Sequence, residues 1–200
     1  DLSDKLGIGE TTILRFCKKI GYSGYLEFRQ DLANKLRDDK KLEKKDCISK
    51  TYEQISDMMN ETLDLSDFEK IDRGAHLIKS SKSIYLFGIG FSGLSAVGAQ
   101  IRLNSMGYKA FSHNDNYLQV LTANLVSEDD IAVGFSISGE TKATIESLKL
   151  AKQNGAKTIC FTNNRKSTIT NVSDVVFVTA GKVLGEEGST LITEMSQLFV

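Results

Sequence analysis

The chain has 200 residues, 40% of them apolar and 26% charged, with a formal net charge of −1; such a length makes one to two ordinary domains and buries a core without disulfide or metal staples. No apolar run approaches the ~18–20 residues of a membrane span and no signal peptide opens the chain, so a cytoplasmic protein with no membrane partner is expected. Three scattered cysteines (Cys17, Cys47, Cys160) without C-x-x-C spacing argue against a disulfide framework and a zinc site.

Residues 1–50 carry 12 Lys and Arg against 9 Asp and Glu, and residues 51–200 carry 13 against 17. A basic amino-terminal end on an acidic body hints at different partners for the two. The chain starts at Asp1 and stops inside the apolar run Leu198-Phe199-Val200, as a fragment cut at both ends would.

Leu2 and Leu6 fall at i, i+4, and Ile13, Phe16, Cys17 and Ile20 share one face of a second helix. Gly7-Ile8-Gly9-Glu10 between them is a tight turn of helix-turn-helix length. Gly21 ends the second helix, and a third starts near Tyr25 and buries Phe28 and Leu32. Residues 37–50, dominated by Lys, Asp and Glu, read as a solvated linker. A connecting or dimer-contact helix, about 51–63, presents Tyr52, Ile55, Met58, Met59 and Leu63. Ser66-Asp67-Phe68-Glu69 has capping-box spacing and predicts a helix to about Ile78.

From there the texture changes. Ile84–Phe87, Ala110–Ser112, Ile131–Ser136, Thr158–Thr162 and Val175–Thr179 are short β-rich runs, separated by helical patterns over 93–106, 116–126, 140–154 and 165–171. This alternation predicts an α/β fold: a five-stranded parallel sheet with helices on both faces, preceded by a small all-α unit. The expected division is 1–36 (partial helix-turn-helix), 37–64 (linker and connecting helix) and 65–200 (α/β domain).

Two strand-to-helix turns carry the chemistry. Gly88-Ile89-Gly90-Phe91-Ser92-Gly93 follows the first strand, where glycines admit close backbone approach and a helix N-terminus favours an anion. It also satisfies G-x-G-x-x-G, with Asp115 placed for ribose hydroxyls, so NAD(H) binding is an alternative. Ser136-Ile137-Ser138-Gly139-Glu140-Thr141 follows the third strand and brings hydroxyls and amides suited to a phosphate. Turns that bind nothing, with Ser138 an ordinary N-cap, are the plainer alternative. In a 2-1-3-4-5 strand order the two turns would flank the topological switch point.

With those residues, the second part resembles the sugar isomerase (SIS) phosphosugar-binding family over about residues 66–200. The resemblance implies a flavodoxin-like three-layer fold and a sugar phosphate held by Ser92, Ser136, Ser138 and Thr141, with Gly90 and Gly139 shaping the loops. Asn163 fits that family's fourth-strand loop only loosely. Asp1-Leu2-Ser3-Asp4-Lys5-Leu6-Gly7 and Glu10–Tyr22, with Tyr25-Leu26-Glu27-Phe28-Arg29, resemble the helix-turn-helix of RpiR-type regulators, whose first helix is missing here. Gly9 stands where that family usually has a capping serine. Thr11, Thr12 and Arg15 would then meet base edges or phosphates, and Lys18 and Lys19 the DNA backbone. A solvated charged face is the alternative for the two lysines, and plain linker solubility accounts for Lys40-Lys41 and Lys44-Lys45.

The combined resemblance implies a regulator of sugar metabolism that binds operator DNA and a sugar-phosphate effector. It would need no cofactor and no metal, act as a homodimer or dimer of dimers, and couple its sites through the 51–64 helix. A sugar-phosphate isomerase of the SIS family is the enzymatic alternative. Its base would be sought among His76, His113, Glu186 and Glu187; a surface or packing place is expected for His76. Thr193-Glu194 departs from the Ser-Arg that RpiR-type proteins often carry in the last helix.

Overall fold

The computed structural model describes residues 9–25, 27–29, 44–181 and 196–198. The expected first helix with Leu2 and Leu6, Leu32, residues 37–43, Glu186, Glu187, Thr193 and Glu194 lie outside the described residues. The chain divides into two compact units, Asp1–Lys50 and Thr51–Val200.

In the first unit, α1 spans Glu10–Lys19 and starts at Gly9, whose carbonyl accepts from Thr12 N (2.9 Å) and Ile13 N (3.4 Å). Its end is closed by paired bonds from Gly21 N to Lys18 O (3.1 Å) and Tyr22 N to Cys17 O (3.0 Å), the pattern that satisfies a helix's last carbonyls. Helical residues follow at 25 and 27–29, and Phe28 packs edge-on to both Phe16 and Tyr22. The expected apolar face is realised only in part. Cys17 is fully buried and Ile13 half-buried, but Phe16 and Ile20 remain 53% and 44% exposed, because so small a unit has little interior to offer.

The helix α2 runs Lys44–Leu65 and α3 Phe68–Ser80. Residues 44–50, expected as linker, are therefore helical; Lys and Glu are good helix formers, and composition alone does not separate a charged linker from a charged helix. Met58 is buried on α2, beside half-buried Ile55 and Leu65, whereas Tyr52 and Leu63 stay exposed. The N-cap of α3 is Asp67 rather than Ser66. The Asp67 carboxylate accepts from Glu69 N (3.1 Å) and Lys70 N (3.3 Å), while the Ser66 hydroxyl turns back to Thr62 O (2.8 Å).

The strands β1 (Ile84–Phe87), β2 (Ala110–His113), β3 (Ile131–Phe135), β4 (Lys157–Thr162) and β5 (Val175–Val178) form a parallel sheet in the order β2-β1-β3-β4-β5. Between them lie α4 (Phe91–Ser105), α5 (Asn116–Ala123), α6 (Lys142–Gln153) and a short 3₁₀ helix, Thr168–Val172, where a helical pattern over 165–171 is expected. The three central strands, β1, β3 and β4, bury side chains on both faces. Ile84, Leu86, Ile131 and Val133 meet α3 and α4; Phe87, Ala132 and Cys160 meet α5 and α6. This is the three-layer arrangement expected from the unalternating strands. Phe135, Phe161 and Phe177, paired in register on three adjacent strands, stack with centroids 4.9 Å apart and tighten one layer. Burial pushes the Cys160 thiol up to about 11, partly offset by a hydrogen bond with Ser173.

The entry to β5 is pinned by Asp174, which takes Lys152 Nζ at 2.8 Å, Thr158 N at 2.9 Å and the Thr158 hydroxyl at 3.0 Å. Burial pushes this carboxyl up, but the hydrogen bonds from Lys152 and Thr158 and the Lys152 charge together outweigh it and leave it below its ordinary value. The folded state thus holds the proton less readily than the unfolded chain. Its stabilisation is present at neutral pH and fades as pH falls through the folded value. Asp174→Asn should cost about 1–2 kcal/mol in urea unfolding at neutral pH, with the gap to the unsubstituted protein closing under strongly acidic conditions.

Candidate functional site

The register pairs Phe87 with Gly134 on neighbouring strands, so the turns leaving β1 and β3 start side by side. The chain leaves β1 toward β2 on one side and leaves β3 toward β4 on the other, which opens a crevice at the carboxyl ends of these strands. A cavity of about 230 Å³ lies there, lined by Ile89, Gly90, Phe91, Ser92, Ile137, Ser138 and Thr141. None of these side chains is charged.

Gly90 is the N-cap of α4 with φ +60°, a conformation open to glycine and costly for other residues. Ser92 follows in the first turn, 6% exposed, its hydroxyl without a hydrogen-bond partner among the described residues. On the β3 side Ser138 is exposed and Thr141 half-buried. The Ser138 hydroxyl accepts from Glu140 N at 3.2 Å, so it shapes the turn locally rather than capping α6.

The cap position of α6 belongs to Thr141, and neither α4 nor α6 has a side-chain cap. The contrast with α3 and α5 is informative. Asp67 and Asp115 each take two amides at those helix starts, as isolated N-termini ordinarily require. The two helices that begin at the cavity instead leave their first amides without a side-chain acceptor, an arrangement suited to an anion.

Ser136 and Gly139 do not line the cavity. Ser136 is 1% exposed, and its hydroxyl accepts from Gly139 N (3.1 Å) and pairs with Thr141 Oγ1 (2.9 Å). Gly139, with φ +71°, lies where a Cβ would collide with the Ser167 side chain, and its carbonyl accepts from Ile169 N at 3.0 Å. The neighbouring carboxylate is turned away: Glu140 accepts from Thr168 N (2.8 Å) and the Thr168 hydroxyl (2.6 Å), and these bonds hold its carboxyl below the ordinary range.

Of the other candidates, Asp115 caps α5 through Oδ1, with Tyr117 N at 2.9 Å and Leu118 N at 3.0 Å. This employs the carboxylate expected to hold a ribose. His113 ends β2 half-buried and His76 is exposed on α3; neither lines the cavity. In the first unit, Thr11, Thr12, Arg15, Lys18 and Lys19 are all exposed on α1. Asn163, weakly signalled by sequence, receives the Thr179 hydroxyl on Oδ1 at 2.9 Å and donates its backbone N–H to Ile137 O at 3.0 Å. Gln119, which no motif points to, is buried beneath the two turns.

A parallel three-layer α/β unit with a crevice at its switch point, joined in sequence to a small helical unit with an exposed basic helix, defines the class. Residues 77–183 match the model of the SIS domain, and residues 1–39 that of the helix-turn-helix domain, rpiR family. An HTH-type transcriptional regulator of Haemophilus influenzae is 32% identical over 213 residues, which take in 100% of this chain and 74% of that protein. The HTH-type transcriptional regulator RpiR of Escherichia coli is 23% identical over 210 residues, 99% of this chain and 71% of that protein. The solved NanR protein of Vibrio vulnificus, complexed with ManNAc-6P, superposes with a TM-score of 0.72 at 26% identity, covering 99% of this chain and 73% of that one. The chain belongs to the rpiR family of helix-turn-helix transcriptional regulators and carries that family's SIS domain.

Gly139→Ala should destabilise the second unit by about 2 kcal/mol or more, combining left-handed strain with the Ser167 collision. Urea unfolding followed by circular dichroism measures the loss.

Proposed function

We propose that this regulator senses a phosphorylated sugar in the cavity between the β1–α4 and β3–α6 turns and answers by changing its hold on operator DNA. The observation that carries the reading is the convergence of two helix starts without side-chain caps, with Ser92, Ser138 and Thr141 around them, on one cavity. A phosphate dianion supplies the acceptors those groups lack. A helix dipole contributes about 0.3–1 kcal/mol, so directed hydrogen bonds do most of the holding. Ser92, Ser138 and Thr141 are the direct contacts in this reading; Ser136 and Gly139 form the turn beneath them, and Gly90 lets the backbone approach.

Three parts divide the work: residues 1–36 for DNA, 37–64 as linker and connecting helix, and 65–200 for the sugar phosphate. Thr11, Thr12 and Arg15 near the start of α1 face DNA bases or phosphates, with Lys18 and Lys19 on the backbone. A non-enzymatic role is favoured by the relatives, which are named transcriptional regulators, and by the placement of Glu140 on Thr168 rather than at the cavity. A cytoplasmic homodimer fits the exposed Leu94 and Ile101 on α4 and Leu118 and Leu121 on α5. Such a dimer would present two recognition helices about 34 Å apart, one turn of DNA. Coupling to α2 is supported at its carboxyl end, where the Thr62 hydroxyl accepts from Ala180 N at 3.1 Å and Met58 packs with Ala180.

A calorimetric panel of hexose and amino-sugar phosphates, ManNAc-6P among them, tests the reading. The unsubstituted protein binds one or more of them, and Ser138→Ala combined with Thr141→Ala loses both that binding and the ligand response, while DNA binding persists. Unchanged ligand affinity in the double variant discards the pocket. Arg15→Ala should weaken binding to DNA selected from a random duplex library by about 1–3 kcal/mol where the guanidinium reads a base. Gel shifts insensitive to this substitution contradict its placement.

A further inference from the structure

Gln119 is a fully buried polar side chain on α5, between the sheet and α6. A buried amide is costly unless its hydrogen bonds are made. Here Nε2 donates to Gly88 O at 2.9 Å and Oε1 accepts from the Thr144 hydroxyl at 3.3 Å. The two partners belong to different loops. Gly88 follows the last residue of β1 and opens the turn to α4; Thr144 lies in the first turn of α6, three residues after Thr141.

Hydrogen bonds within each turn leave the distance between the turns to be set by something else. In the β3–α6 turn, Ser136, Gly139 and Thr141 bond among themselves; in the β1–α4 turn, Gly93 N and Leu94 N both return to Gly90 O. Sheet pairing joins the turns at their base, as far as Phe87 and Gly134. Beyond the strand ends, the Gln119 amide bridges Gly88 to α6. A tetrahedral anion gripped from two sides needs its donors held to about 0.5 Å, and an outer ring of hydrogen bonds normally does this.

We propose that Gln119 is a positioning residue for the anion pocket: its amide fixes the separation of the β1–α4 turn from the start of α6, so that both sets of amides and hydroxyls converge on one headgroup. This rests on the reading of the cavity as a phosphate site. Gln119 touches no ligand; it acts through Gly88 and Thr144.

Sulfate serves as the probe, since it shares the tetrahedral dianionic form without depending on which sugar is bound. The full chain, titrated with sulfate and followed by amide NMR, should saturate with shifts at Ser92 and Ser138–Thr141. Gln119→Met keeps the bulk and removes both polar contacts. Its sulfate affinity should fall about tenfold, as expected when a buried carbonyl loses its donor, and its turn amides should already be displaced without sulfate. Thr144→Val, which removes one contact, should fall by a smaller factor. A folded Gln119→Met protein with a lower unfolding temperature but unchanged sulfate affinity and amide positions would reduce Gln119 to a structural role and overturn the proposal. Where Gln119→Met does not fold, Thr144→Val decides, and unchanged affinity overturns the proposal equally. A wild-type protein without saturable sulfate binding removes the phosphate reading itself, a result distinct from either.

Discussion

The adjacency of β1 and β3 is the constraint from which the candidate site follows. Their connections depart in opposite directions across the sheet, which opens a crevice at the carboxyl ends where the strands meet. Each strand leads through a short turn into a helix that starts at that gap. At the starts of α3 and α5 the first amides are satisfied by an aspartate. At the gap an aspartate would repel the anion that the geometry favours, and neutral glycine and threonine occupy the two cap positions instead.

Recognition by neutral groups has consequences for selectivity. Among the described residues no charged side chain lines the cavity, so an anion bound as proposed would meet oriented dipoles from them rather than a strong centre of charge. Dipoles weaken rapidly with misalignment, whereas a cation tolerates it. The surroundings of the turns fit this demand for order. Thr144, Thr162 and Ser167 are fully buried polar residues close behind them, and their hydroxyls bond to Gln119, to the backbone of Ile137 and to the backbone of Asn164. Gly139 is enclosed so closely by Ser167 and Thr162 that a methyl group has no place there.

The strands and both turns were legible in the sequence because their signals are local. Short β-rich runs without alternation mark a sheet covered on two sides, and glycine with hydroxyls after a strand marks a turn into a helix. What was hidden depends on which way side chains face and on partners distant along the chain. Four hydroxyl residues looked equivalent, yet Ser136 points into its own turn while Ser92 and Ser138 line the cavity. Gln119 reads as one polar residue on a helix until Gly88, 31 residues earlier, and Thr144, 25 residues later, are brought to it. The start of α2 was obscured for another reason: lysine and glutamate favour helix and solvated coil alike, and nothing in the spacing of 37–50 separates them.

Position in the sheet also explains how a ligand at one edge can matter to a helix that the chain forms before the sheet begins. Ile137 lines the cavity, and its carbonyl takes the Asn163 N–H; Asn163 in turn takes the Thr179 hydroxyl, and the next residue, Ala180, donates to Thr62 on α2. Each link joins the carboxyl end of one strand to that of the next, from β3 through β4 to β5. A ligand biases such a chain only through contacts that differ between two arrangements of it. The turn after β3 lies outside the strand ladder and is held by side-chain bonds around Ser136 and Thr141 together with backbone bonds to Asn163 and Ile169. The turn that carries two of the proposed anion contacts, Ser138 and Thr141, is therefore also the one from which this chain of bonds toward α2 starts, at Ile137.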